Sequence, residues 1–126
     1  MSGLDHVAIA VADYDTSIGF YNSALAPLGF KVLMAFDNEG GKTSGYGDQN
    51  PFFWVGDGGA VEGRLHIAFA AKSRAEVDAF YTAAVAAGGC DNGPAGVRQH
   101  YHPTYYAAFV LDPDGHNIEA VCHAAG

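Results

Sequence analysis

Cysteine is scarce in this sequence of 126 residues, and so is positive charge. The two cysteines, Cys90 and Cys122, lie far apart and form no CxxC pair. That spacing argues against a disulfide-stapled scaffold, and a reducing cytoplasm is the expected compartment. Six Lys and Arg stand against fourteen Asp and Glu, a formal net charge of −8. Such a surface repels phosphate backbones, so nucleic acid is not an expected partner. Long apolar runs are missing too. MSGLDH does not read as a charged leader to an apolar stretch, and no segment approaches a membrane span, so no membrane partner is expected either. What remains is 49% apolar and 16% charged residues, the balance of a globular chain that can build a core without disulfides.

The most informative feature present is a repeat. LDHVAIAV at 4–11 returns as RLHIAFAA at 64–71, aligning His6 with His66, Val7 with Ile67, Ala8 with Ala68 and Ile9 with Phe69. Phe20-Tyr21 falls on Phe80-Tyr81 and Gly29 on Gly89 at the same offset. We read one domain over 1–126, built from a module at about 1–58 and a second at about 62–126. In the first, alternation over 4–12 predicts a half-buried strand, and Ile18, Tyr21, Leu25 and Leu28 predict a helix from Thr16 to Leu28 closed by Gly29. Strands follow at 30–36, 43–48 and 51–56. The glycine-rich 56–63 separates the copies. In the second, a strand at 64–71 precedes a helix opened by a capping box, Ser73 with Glu76. The turn-rich loop CDNGPAGVRQHYHP leaves the next strand short or degraded. Strands at 105–111 and 116–122 then flank the DPDG turn, Asp112–Gly115. Both modules read β-α-β-β-β, an α+β architecture.

Period two places His6, Ala8, Ala10 and Ala12 on one face and Val7, Ile9 and Val11 on the other. The second copy repeats this with His66, Ala68 and Ala70. A lone histidine on an apolar strand is ordinarily a hydrogen-bonded structural residue. Two at equivalent positions, on faces hollowed by alanine, can converge on a ligand near the axis relating the modules. Glu119 shares a face with Val121 in an otherwise apolar strand, and a carboxylate there must be exposed, paired or metal-bound. Together His6, His66 and Glu119 form a two-histidine, one-carboxylate set suited to Fe(II) and tolerated by Mn(II), Zn(II) or Ni(II).

The paired modules, a histidine near the start of each first strand, and FVLDPDGHNIEAV resemble the vicinal oxygen chelate superfamily. That group includes glyoxalase I, extradiol dioxygenases, fosfomycin-modifying thiol transferases and bleomycin-binding resistance proteins. The ADYDTSIGFYNSAL helix entry is a second point of similarity. The resemblance implies two tandem modules forming a cupped mixed sheet with helices on its outer face. It also implies, in the catalytic branches, a divalent metal inside the cup, and its metal positions fall on His6, His66 and Glu119. Glyoxalase I adds a second glutamate from the last strand of its first module. Here that position falls on Phe53 or Trp54, neither of which can ligate a metal. The remaining three-ligand pattern matches the dioxygenase and thiol-transferase branches, while the cations a phosphonate would need are scattered. The expectation is a metal-dependent enzyme acting on a small organic substrate. The rival is a metal-free sequestration protein of the bleomycin-resistance kind.

The segment from Arg98 to Tyr106 is the richest source of acid–base groups: His102, which its neighbour Pro103 fixes, His100 and Tyr105. Phe53, Trp54, Tyr101, Tyr106 and Phe109 are candidates for the substrate wall. His116 is expected to serve its turn and His123 to be solvated. Open strand edges predict a homodimer, and if modules pair between chains, His6 of one subunit would meet His66 and Glu119 of the other.

Overall fold

The computed structural model describes residues 3–125. Nine strands and two α-helices run in the order β1 (Val7–Val11), α1 (Tyr14–Leu25), β2 (Lys31–Asn38), β3 (Gly41–Gly47), β4 (Pro51–Asp57), β5 (His66–Ala70), α2 (Arg74–Ala86), β6 (Cys90–Asp91), β7 (Gly96–Val97), β8 (Tyr106–Leu111) and β9 (Asn117–Cys122). They form two sheets of matching design. The first has order β1-β4-β3-β2, and the second has order β5-β9-β8-β6 with β7 also paired to β8. In each, the first strand lies parallel to the last, and the others run antiparallel. The degraded strand of the second module is thus two fragments, β6 and β7, on one neighbour.

Local chemistry explains where the elements begin and end. Asp13 caps α1 by accepting from the Thr16 amide at 3.0 Å, so the helix starts at Tyr14 rather than Thr16. Pro27 lies in a 3₁₀ turn, Ala26–Leu28, where the α-helix has already ended. Gly29 closes that turn with φ 85°, a left-handed conformation that favours glycine. Ser73 caps α2 by accepting from the Glu76 amide at 3.2 Å. Glu76 reaches back to the Lys72 amide at 2.8 Å, so both halves of the expected box are used.

The two modules share one core. Ile9, Val11, Phe53 and Val55 of the first sheet meet Phe69, Val110, Ile118 and Ala120 of the second, with Phe20, Tyr21, Val77 and Phe80 from the helices. Phe53 and Phe69 meet edge-on across the modules at 5.1 Å between ring centroids. Each such side chain, fully buried, contributes roughly 2–3 kcal/mol over its exposed state. A polar latch joins the same halves. The Tyr21 hydroxyl donates to Asp112 Oδ2 at 2.5 Å, while Asp114 Oδ2 accepts from the Ala12 amide at 3.1 Å. The opposite faces stay open: His6, Ala8, His66, Ala68 and Ala70 are exposed. Cys90 and Cys122 are both free. No helix among the described residues is long and apolar enough to cross a membrane.

Candidate functional site

The register of the second sheet builds the densest polar cluster on an open face. Pairing of β5 with β9 sets His66 against Asn117 and Ala68 against Glu119, and pairing with β8 sets Phe109 against Glu119. Glu119 therefore sits on the interior strand β9, two residues along from the position opposite His66. Its side chain is only 1% exposed, whereas that of His66 is 52% exposed. The two meet at 2.7 Å between Nε2 and Oε1. The Tyr105 hydroxyl donates to the other carboxylate oxygen, Oε2. Both oxygens of a buried carboxylate are thus satisfied by named groups, which is what makes its burial tolerable.

Tyr105 is itself braced by rings. Tyr101 lies edge-on to it at 5.0 Å, and His123 does so at 5.2 Å. Burial first, then the hydrogen bond and charge of Glu119, push its pKa up to about 12. At neutral pH it is a proton-bearing donor. The Phe109 ring centroid lies 6.1 Å from that of His66, and the Arg98 guanidinium lies over the same ring at 5.2 Å from its centroid. Arg98 is fixed by its own carbonyl contacts, to Gly96 at 2.9 Å and Pro94 at 2.8 Å.

The remaining candidates are distributed as follows. His6 is exposed and hydrogen-bonded through Nδ1 to Asp5 at 2.6 Å. Among the described residues of one chain, no three His, Cys, Asp or Glu side chains converge where a metal could be held, so His6 does not join His66 and Glu119. His102 Nδ1 is engaged by the Thr104 amide at 3.2 Å and hydroxyl at 2.9 Å. His100 is exposed and packs on the Tyr101 ring at 4.1 Å. Within the loop, Tyr105 is the side chain that reaches Glu119. Tyr106 points the other way, donating to Asp78 on α2 at 2.6 Å beneath the Arg74 guanidinium. His116 serves the turn, its amide donating to Asp112 Oδ1 at 2.9 Å.

The first module offers a different surface. Pairing of β1 with β4 sets Ala8 against Trp54, the same relation that Ala68 has to Glu119. Trp54 therefore holds the repeat-related position of the carboxylate, and Phe53 is fully buried in the core on the opposite face. Sequence reasoning missed Phe36, which lies nearly parallel to Trp54 at 14° and 6.1 Å. Alternation along β2 was the available signal, but a register shift between Val32 and Met34 obscures it. It also missed Arg98 as a contact of Phe109, because nothing in the sequence signals that the two-residue β7 before Arg98 pairs with β8.

The family model described as Glyoxalase/Bleomycin resistance protein/Dioxygenase superfamily matches residues 3–120. A comparison with curated proteins by sequence returns no match. Among solved structures, a glyoxalase/bleomycin resistance protein from Albidiferax ferrireducens is 30% identical with a TM-score of 0.79, over 96% of this chain and 98% of that one. Glyoxalase I from Zea mays is 22% identical with a TM-score of 0.71, over 98% of this chain and 45% of that one. A fosfomycin resistance protein from Listeria monocytogenes, solved with Mn(II) and 1S,2S-dihydroxypropylphosphonic acid, is 21% identical with a TM-score of 0.69, over 96% of this chain and 90% of that one.

Proposed function

This chain belongs to the Glyoxalase/Bleomycin resistance protein/Dioxygenase superfamily, and on that premise we propose that it is a small metal-dependent enzyme whose metal binds two adjacent oxygens of an organic substrate. The observation that carries the reading is the buried Glu119, held at 2.7 Å from a half-exposed His66 on an open, alanine-lined face. An imidazole and a carboxylate already facing one another need little rearrangement to share a divalent cation, and N and O donors suit Fe, Mn, Zn or Ni. The third ligand is His6 of a second copy, because His6 of the same chain stands apart. The protein then works as a homodimer. Bound there, the cation supplies Lewis acidity toward the paired substrate oxygens.

The chain's own groups do the rest. Tyr105 holds Glu119 by Oε2, which orients Oε1 toward His66. With its pKa pushed up to about 12, Tyr105 retains its proton at neutral pH, and that single O–H stays committed to Glu119. Tyr101 and His123, edge-on to the Tyr105 ring, hold that phenol in place. His100 and His102, exposed on the same loop, are the groups available to exchange protons with solvent. The substrate is a small molecule, and the site of action is the cytoplasm.

One observation favours a second reading. Among the described residues three ligands do not converge within one chain, and a metal-free binding protein of the bleomycin-resistance kind would not require them to. Metal analysis of protein purified without a tag separates the two. The proposal expects about one divalent ion per chain, lost in His66→Ala while the fold is kept. Full occupancy of His66→Ala after dialysis against a mild chelator rejects the ligand assignment, and a metal-free wild type favours sequestration.

A further inference from the structure

The duplicated cup is chemically asymmetric. Where the second module carries Glu119, the first carries Trp54, the only tryptophan in the chain. The indole lies against β3 at Gly45. A Cβ at that glycine would come within 2.8 Å of indole atoms Cη2 and Cζ3 and within 2.9 Å of Pro51 Cβ. No other residue allows the ring to lie so close to the sheet. From β2, the Phe36 ring stacks against the indole, inclined by only 14° at 6.1 Å between centroids. Phe36 is 44% exposed and Met34, two residues away on the same face, 45% exposed. Beside this surface, Asp5, His6, Ala8, Thr43, Pro51 and Trp54 line a cavity of about 460 Å³.

These features have one chemistry in common. Two near-parallel rings held against a sheet present aromatic faces in one stack, and flat faces gain most dispersion energy from flat partners, which approach everywhere at once. A globular or branched hydrocarbon of equal area touches such a surface over only part of its own. The wall at the other end, with His6 and Asp5, is polar, so the ligand must carry polar atoms there and its ring over Trp54. We infer that Trp54, seated on Gly45 and extended by Phe36, is the specificity-determining element of the cup and selects a planar conjugated ring. This rests on the reading of the cup as a small-molecule site, and it names the class of molecule that site takes.

The probe is 4-nitroanisole, a planar neutral ring that does not chelate metals, with 1-adamantanol as a non-planar comparator. Calorimetry gives both affinities, and Trp54 emission, corrected for absorption, reports where the ring sits. The expected result is saturable quenching by 4-nitroanisole, with affinity at least about tenfold above that of 1-adamantanol. Phe36→Leu should weaken 4-nitroanisole about tenfold and leave 1-adamantanol unchanged. Equal affinities, or binding without quenching, overturn the inference. So does a changed mass of Phe36→Leu by light scattering, which would assign this face to subunit contact. Mn(II) titration of the same protein keeps the two claims apart. Mn(II) binding without ring selectivity removes only the inference, whereas ring selectivity without Mn(II) binding removes the metal-dependent reading and leaves the aromatic surface standing.

Discussion

At position 119 a carboxylate sits in the middle of a buried strand, and its two oxygens are taken by an imidazole and a phenol. A second phenol–carboxylate pair, Tyr21 with Asp112, has a different task. It lies in the core and joins a helix of the first module to the turn of the second. Burial first, then Asp112, raise the Tyr21 pKa well above its ordinary 10.0. In the unfolded chain this phenol releases its proton as pH passes 10, whereas in the folded chain it keeps it. The stabilisation is therefore complete below pH 10 and lost progressively as pH rises above it. Tyr21→Phe should cost about 2 kcal/mol at neutral pH, since the bond lost has a charged acceptor. It should also flatten the fall in stability between neutrality and about pH 11, as chemical denaturation at both ends would show. An unchanged alkaline slope would assign the latch no role. The pairing of Tyr21 with Asp112 spans 91 positions, so no local pattern in the sequence could reveal it. Glu119 was different: an acid between Ile118 and Ala120 already had to be exposed, paired or metal-bound, and the structure buries and pairs it.

At the scale of elements, most of the architecture was legible. Alternation in β1 and β5 told the alanine face from the core face because period two is local, and the capping box told where α2 begins. Element ends shifted where a single side chain decides them, as Asp13 does for α1. The loop between α2 and β8 was legible as long and rich in histidine and tyrosine, but its internal fold was not. Its internal bonds, from the Arg98 amide to the Tyr105 carbonyl at 2.7 Å and from the Tyr105 amide to the His102 carbonyl at 3.1 Å, fold it back on itself. That fold directs Tyr105 to Glu119 and engages His102 with Thr104. A test on this element follows. His100→Ala with His102→Ala should leave Mn(II) affinity within about twofold of wild type, because neither touches Glu119 through a hydrogen bond. Tyr105→Phe should weaken it about tenfold, because it frees Oε2 of the ligand carboxylate. Mn(II) titration followed by electron paramagnetic resonance reads both. The reverse ranking would transfer the supporting role to the histidines.

The whole molecule carries one core between two modules whose open faces are separately lined. One face has His66, Glu119 and Tyr105, and the other has His6, Trp54 and Phe36. Tyr21, Asp112 and the Phe53–Phe69 contact fix the modules relative to one another, so bringing His6 to Glu119 within a chain would require breaking the core. Joining them between chains requires only that two copies meet along the free edges of β1 and β5, each of which pairs on one side alone. The duplication made two matching histidines visible in the sequence. It could not reveal whether they serve one site within a chain or two sites across a pair, since both arrangements use the same residues. A mixture of two damaged chains distinguishes them most directly. His6→Ala and Glu119→Ala proteins, each alone, should bind no metal at the site. Unfolded together in equal amounts and refolded, they should form mixed dimers in which one of the two sites has all three ligands intact, giving about one ion per four chains. No metal in the refolded mixture, with wild type treated identically binding its full complement, would contradict a site shared between subunits.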